Sequence, residues 1–335
     1  MAGAVGGLLR VGLATLTALL TLWGAAAIWI DGPDRRLLAG LLLVAFLGAV
    51  ALPFFRVRPL LHACLWALVP GAAGGGWWSS IPPSHDRDWQ RDVARTPTAE
   101  RHGSLVTVRD VRNFDYRTET DFTERWEERS YDLDRVAGLD LFVSYWGPTL
   151  YAHTILSWDV EGSSPIAASI ETRRERGESY SAVLGFFRQF ELVYVLADER
   201  DVVRLRTGYR GERVFLYRLD TPPAGARALL EQYLSEANAL ARQPAWYNAF
   251  TENCTTAIWR NVRALSPGNP FDWRLVANGH VDRMLYERGH LDTSLPFEEL
   301  RARSDVTERA KACGARADFS RCIREGLPTP AARRR

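Results

Sequence analysis

The residues best suited to chemistry are a cysteine, a histidine and a glutamate far apart in the chain. Cys254 follows Asn253 and precedes Thr255, Thr256 and an apolar stripe of Ala257, Ile258, Val262 and Leu265. That pattern predicts a thiol on the first turn of an amphipathic helix, with Asn253 as its cap. The unpaired N–H groups and positive dipole end at a helix start favour thiolate over thiol. A lone cysteine there is more often a small packing residue, so a nucleophile needs a base and something to orient that base. His153 lies in an expected strand, Tyr151 to Trp158, and Asp159 to Ser164 reads as a turn into a second strand, Pro165 to Thr172. If the turn is centred on Gly162, Glu171 lies opposite His153, with Cβ atoms ~5 Å apart. A one-residue slip would send Glu171 to the other face of the sheet. Taken alone, such a hairpin more often carries an ordinary surface His and Glu pair. Together, Cys254, His153 and Glu171 supply the thiol, base and orienting acceptor that acyl chemistry requires. First-turn N–H groups beside Thr255, with the Asn253 amide, would hold the oxyanion.

These residues need a sheet followed by helices, and the chain after residue 103 supplies that order. Ser104 to Arg112 alternates as a strand, and Leu139 to Trp146, Glu191 to Leu196, Val202 to Leu205 and Arg213 to Arg218 read as further strands. Thr221 and Pro222 read as the cap and first turn of a helix bearing Leu229, Leu230, Tyr233, Leu234, Ala237 and Leu240 on one face. The expected soluble part is an α+β domain over residues 104–300. Residues 81–103 read as a linker with a short helix from Asp86 to Ala94. Asp198 to Asp201 has the charges of a metal loop without the spacing, and reads as a turn.

The first eighty residues differ in composition. Val11 to Ile30 and Leu37 to Phe55 carry no charge, and each is long enough to cross a bilayer at ~1.5 Å per residue. Pro59 to Trp78 is a third candidate, interrupted by His62, Pro70 and Gly74 to Gly76 and closed by two tryptophans suited to an interface. Arg10, Arg56 and Arg58 on one side outnumber Arg35 and Arg36 on the other, which favours a cytoplasmic N-terminus and a domain outside. The expected location is a bacterial inner membrane, with the C-terminal domain in the periplasm. The segment 301–335 reads as a tail in which Cys313 and Cys322 are either disulfide-bonded or free thiols. No Cys-x-x-Cys pair or histidine cluster points to a metal, and no cofactor is expected. Lys311 is the only lysine among 42 basic residues, but the arginines alternate with acids throughout, which argues against nucleic acid. Oligomeric state is not readable.

Five motifs occur in order: Asn113-Phe-Asp-Tyr116, Ala152-His-Thr-Ile-Leu-Ser-Trp158, Ser169-Ile-Glu-Thr-Arg173, Phe190-Glu-Leu-Val-Tyr194 and Asn253-Cys-Thr-Thr256. Over roughly residues 85 to 300 the chain resembles the DUF4105 family, also called the periplasmic domain of the lipoprotein intramolecular transacylase. The resemblance implies a circularly permuted papain-like fold of the NlpC/P60 type, with Cys254 as nucleophile and His153 as base. It also implies acyl transfer on a membrane lipid or lipoprotein. The same fold supports a cysteine peptidase or amidase on cell-wall peptides, and a non-catalytic envelope binding domain is a third reading. Ser169 and Arg173 are candidates to face a substrate, although a solvated turn is the commoner reading of Arg173, Arg174 and Arg176.

Overall fold

The computed structural model describes residues 2–334, which divide into two compact units. One comprises the residues through Ser84 together with Ser181–Phe190. It contains helices α1 (Ala2–Ile30), α2 (Arg36–Arg56) and α3 (Leu60–Ser80). Their small common core packs Ile28 against Phe46, Val50 and Ala67. A Cβ on Gly24 would come within 2.7 Å of the Phe46 ring, so glycine lets α1 and α2 approach closely here. Leucines on the outer faces, such as Leu19, Leu22, Leu37 and Leu41, stay exposed. By length and composition, Gly7–Ile30 and Arg36–Arg56 can cross a membrane. The expected third span forms a helix of the required length, but it does not join them on composition. His62, Pro70 and the glycines dilute its apolar character.

The other unit is His85–Tyr180 with Glu191–Arg335. Its strands are β1 (Thr98–His102), β2 (Leu105–Arg112), β3 (Asp115–Tyr116), β4 (Phe122–Thr123), β5 (Trp126–Asp132), β6 (Val136–Tyr145), β7 (His153–Val160), β8 (Ile166–Arg173), β9 (Glu191–Ala197) and β10 (Arg213–Arg218). The main sheet runs β1-β2-β9-β8-β7-β6-β10, with β5 also paired to β2. All of its pairs are antiparallel except β2 with β9. The helices are α4 (Glu199–Arg204), α5 (Pro223–Arg242), α6 (Cys254–Leu265), α7 (Val281–Glu287), α8 (Phe297–Ser304), α9 (Thr307–Cys313) and α10 (Phe319–Arg324). On one face, Trp158 and Tyr194 pack against Tyr233 of α5. On the other, Phe142, Ile155, Val193 and Val195 join Val202 and Val203 of α4 and Val306, Phe319 and Ile323 from the C-terminal helices. The domain is α+β, as expected.

Several boundaries differ from the sequence reading for identifiable reasons. Val202 to Leu205 is not a strand. Glu199 to Arg204 form α4, buried along most of its length, and it runs on into a π-helical turn over Leu205–Tyr209. Asp198 caps α4 by accepting from the Arg200 N–H, so the acidic turn is a helix start. The supposed linker contains β1, which pairs with β2, and its expected helix shrinks to one turn at Arg91–Val93. Helix α5 begins one residue later than expected, with Pro222 at the cap and no side-chain cap bond. The supposed tail is part of the core. Cys313 and Cys322 form a disulfide joining α9 to α10, and Ala310, Cys313, Phe319 and Ile323 are buried against the sheet.

Candidate active site

Cys254 is the first residue of α6, where the sequence places it. The Asn253 Oδ1 accepts from the N–H groups of Thr255 and Thr256 at 2.9 Å each. In return the Thr256 hydroxyl accepts from the Asn253 N–H at 3.0 Å, which completes a capping box. The other end of the Asn253 amide donates to the Ala249 carbonyl at 3.0 Å. The Oδ1 of that amide is therefore used by the helix start and one of its two N–H donors by the preceding turn. Among the described residues, no acceptor pairs with the Cys254 N–H. Thr255 is buried, and its hydroxyl meets that of Thr154 at 3.1 Å.

His153 opens β7, beside the thiol. The β7–β8 ladder pairs Ile155 with Ser169, Leu156 with Ala168 and Trp158 with Ile166, the register of a turn centred on Gly162. That glycine has φ of +79°, which a side chain would strain. Extended by one pair of residues on the same face, the register sets His153 against Glu171. His153 Nε2 lies 3.3 Å from Glu171 Oε1 and 2.7 Å from the Ser169 hydroxyl, which itself donates to Glu171 at 2.6 Å. With Nε2 so engaged, Nδ1 is left for the thiol. Ser169 is fully buried between imidazole and carboxylate, so it supports the base and does not face a substrate.

The electrostatics favour an ion pair. Burial pushes the Cys254 thiol up, but the charge of His153 and a side-chain hydrogen bond from it overcome this and bring the thiol down to about 7. Burial alone would lower His153; the charges of Glu171 and Cys254 outweigh it and raise the imidazole to about 9. Glu171 is held well below the usual carboxylate range. Burial opposes that shift, and His153 and Arg206 drive it. The Arg206 Nη2 donates to Glu171 at 2.8 Å from the π-helical turn, and Arg206 lies 3.7 Å from Glu212. Glu212 accepts in turn from Ser144, the residue paired with His153 across the β6–β7 ladder.

Three of these supporting residues, Arg206, Glu212 and Asn278, were not anticipated. Asn278 binds the Ala152 N–H at 2.8 Å and the Thr255 hydroxyl at 2.9 Å, and its Nδ2 lies 3.5 Å from the Cys254 sulfur. It thus ties the loop before β7 to the first turn of α6. The next residue must be glycine, because a Cβ on Gly279 would sit 1.9 Å from the Thr149 carbonyl oxygen. Asn-Gly signals a turn in sequence, but not that the turn is buried beside a thiol. Arg206 was hidden by the strand reading of Val202 to Leu205, the residues just before it. Arg173 proves to be structural. It is buried, donates to the carbonyls of Val93 and Ala94 and lies 4.3 Å from the Trp89 ring, holding the segment before β1 instead of facing a substrate.

Residues 122–279 match the Lnb N-terminal periplasmic domain. The match begins at β4, ends just after Asn278, and contains His153, Glu171 and Cys254, which supports a Lnb-type family for this region. No curated protein and no solved structure matches the chain. A Lnb-type periplasmic domain and two apolar N-terminal helices fit a membrane-anchored envelope protein. A cavity of about 790 Å³ at the Ser164–Pro165 end of the sheet is lined by none of Cys254, His153 and Glu171. Of its arginines, Arg129, Arg218 and Arg324 are paired with carboxylates.

Proposed function

We propose that this protein is a membrane-anchored thiol acyltransferase of the periplasm. Cys254 is its nucleophile, His153 its base and Glu171 the group that orients the base, on a permuted papain-like domain of the NlpC/P60 type. The helix α3 crosses the bilayer with α1 and α2 in this reading. The observation that supports it best is His153, which contacts Glu171 through Nε2 and whose charge and side-chain hydrogen bond lower the Cys254 thiol. The thiolate attacks the carbonyl carbon of a lipid-linked ester, and the oxyanion takes the Cys254 N–H. The C–O bond breaks as His153 gives its proton to the leaving alcohol, and a Cys254 thioester forms. An amine then attacks the thioester, His153 removes its proton, and the thiolate leaves as the amide forms. A lipoprotein with an acylated glyceryl group and a free N-terminal amine contains both partners for this transfer.

The test is the N-terminal acylation state, by mass spectrometry, of a lipoprotein co-expressed with the intact chain or its Cys254→Ala variant. The acyl group should move to the amine with the intact chain and stay on glycerol with the variant. Equal transfer by both would remove Cys254 from the chemistry. A change in muropeptides without any change in the lipoprotein would indicate an amidase acting on cell-wall peptides.

A further inference from the structure

The segment Ser181–Phe190, inserted between β8 and β9, belongs to the helical unit and not to the domain that surrounds it in sequence. Its attachment is polar and specific. Asp31, just past the end of α1, accepts from the Trp78 indole at 2.6 Å, the Arg188 N–H at 3.1 Å and the Gln189 amide at 2.8 Å. Gln189 also reaches the Ile30 carbonyl at 3.3 Å, and the Arg188 guanidinium lies 4.1 Å from the Trp78 ring. The end of α1, the start of α2 and the end of α3 therefore share one level with this segment.

The free side of the segment is apolar. Val183 is 65% and Phe186 45% exposed, although Gly185 and Phe187 beside them are buried. A water-facing surface loop has no need of that alternation. The same unit carries uncovered apolar side chains on α1 and α2, such as Leu22 and Leu41. Trp29, Trp77 and Trp78 with Arg35, Arg36 and Arg188 mark this end as a membrane-interface level, because indoles settle among headgroups and guanidinium groups meet lipid phosphates. We propose that Ser181–Phe190 is an interfacial anchor that inserts Val183 and Phe186 into the phospholipid surface at the domain side of the membrane. The occupant is the bilayer itself. The inference stands on the apolar helices and is independent of the acyl-transfer reading.

Fluorophore depth measurements test it on the full chain in phospholipid vesicles. With Cys64 and Cys254 replaced by Ala, and the disulfide intact, a polarity-sensitive probe is attached to V183C, to F186C, or to S163C at the exposed hairpin tip as an aqueous control. Nitroxide lipids labelled near the headgroup should quench the first two probes several-fold more than the third, and aqueous iodide should show the opposite order. Probes at 183 and 186 that behave like the one at 163 would overturn the anchor. So would shielding from both quenchers, which would place these residues under protein.

Discussion

His153 and Glu171 face each other across the β7–β8 hairpin with Nε2 and Oε1 3.3 Å apart, the geometry in which a carboxylate holds an imidazolium. The contact does not stand alone. Ser169 bridges the pair, and Arg206 neutralises the carboxylate from behind. A half-buried glutamate with an arginine partner keeps its charge, and that charge raises His153 and lets the imidazolium lower the thiol. Glu171 thus acts on Cys254 through His153.

One consequence is a pH window. Cys254 loses its proton near 7 and His153 near 9, so the thiolate–imidazolium pair predominates between those limits. Alkylation of Cys254 by iodoacetamide should rise through pH 7. Acyl transfer, which needs the imidazolium as acid, should fall again above pH 9. Glu171→Gln removes the charge that holds the imidazolium. The alkylation limb should then move toward the ordinary thiol value of ~8.5, with turnover lower by ~10²–10⁴-fold. An unmoved limb in the variant would show that Glu171 is only structural.

Asn278 carries a different prediction. Its amide joins Ala152, Thr255 and the edge of the thiol, and Asn278→Ala leaves a buried N–H at Ala152 without its acceptor. The cost should be ~1–3 kcal/mol in urea unfolding. Alkylation of Cys254 should also change, because the loop ending at Ala152 carries His153. Asn278→Asp keeps the acceptor for Ala152 but places a negative charge beside the sulfur, so it should retain more stability while raising the thiol pKa. If both variants react like the parent chain, Asn278 has no hold on the site.

How much of this could be read from the chain depended on how local the determining interactions were. The Asn253 cap and the Gly162 turn are short-range devices, so the helix start at Cys254 and the partner of His153 followed from spacing alone. Arg206 reaches Glu171 from 35 residues downstream, through a π-helical turn that no local pattern announces. Asn278 lies 126 residues from Ala152. Arg173 was misread because a long polar side chain after a strand gives no sign that a folded segment will cover it.

The C-terminal helices show the same long-range logic, with a stability consequence. Asp140 and Glu199 are fully buried, and Arg324 donates to both, at 2.7 Å and 2.5 Å, from the end of the helix that the Cys313–Cys322 disulfide ties to its neighbour. Burial opposes ionisation of Asp140, yet Arg324, Arg333 and Arg218 hold its pKa below the ordinary value. Its contribution to stability is therefore present above the unfolded-state value of ~3.9 and lost as pH falls through the lower folded value. Arg324→Met leaves two buried carboxylates short of a partner and should cost ~3–5 kcal/mol, with acid unfolding moved to higher pH. Reducing the disulfide, which closes a short loop, should cost ~2–3 kcal/mol. Urea unfolding of the detergent-solubilised chain, followed by tryptophan fluorescence with and without reductant, measures both. Losses below ~0.5 kcal/mol, the level of an ordinary surface change, would mean that the C-terminal helices cover the sheet without locking it.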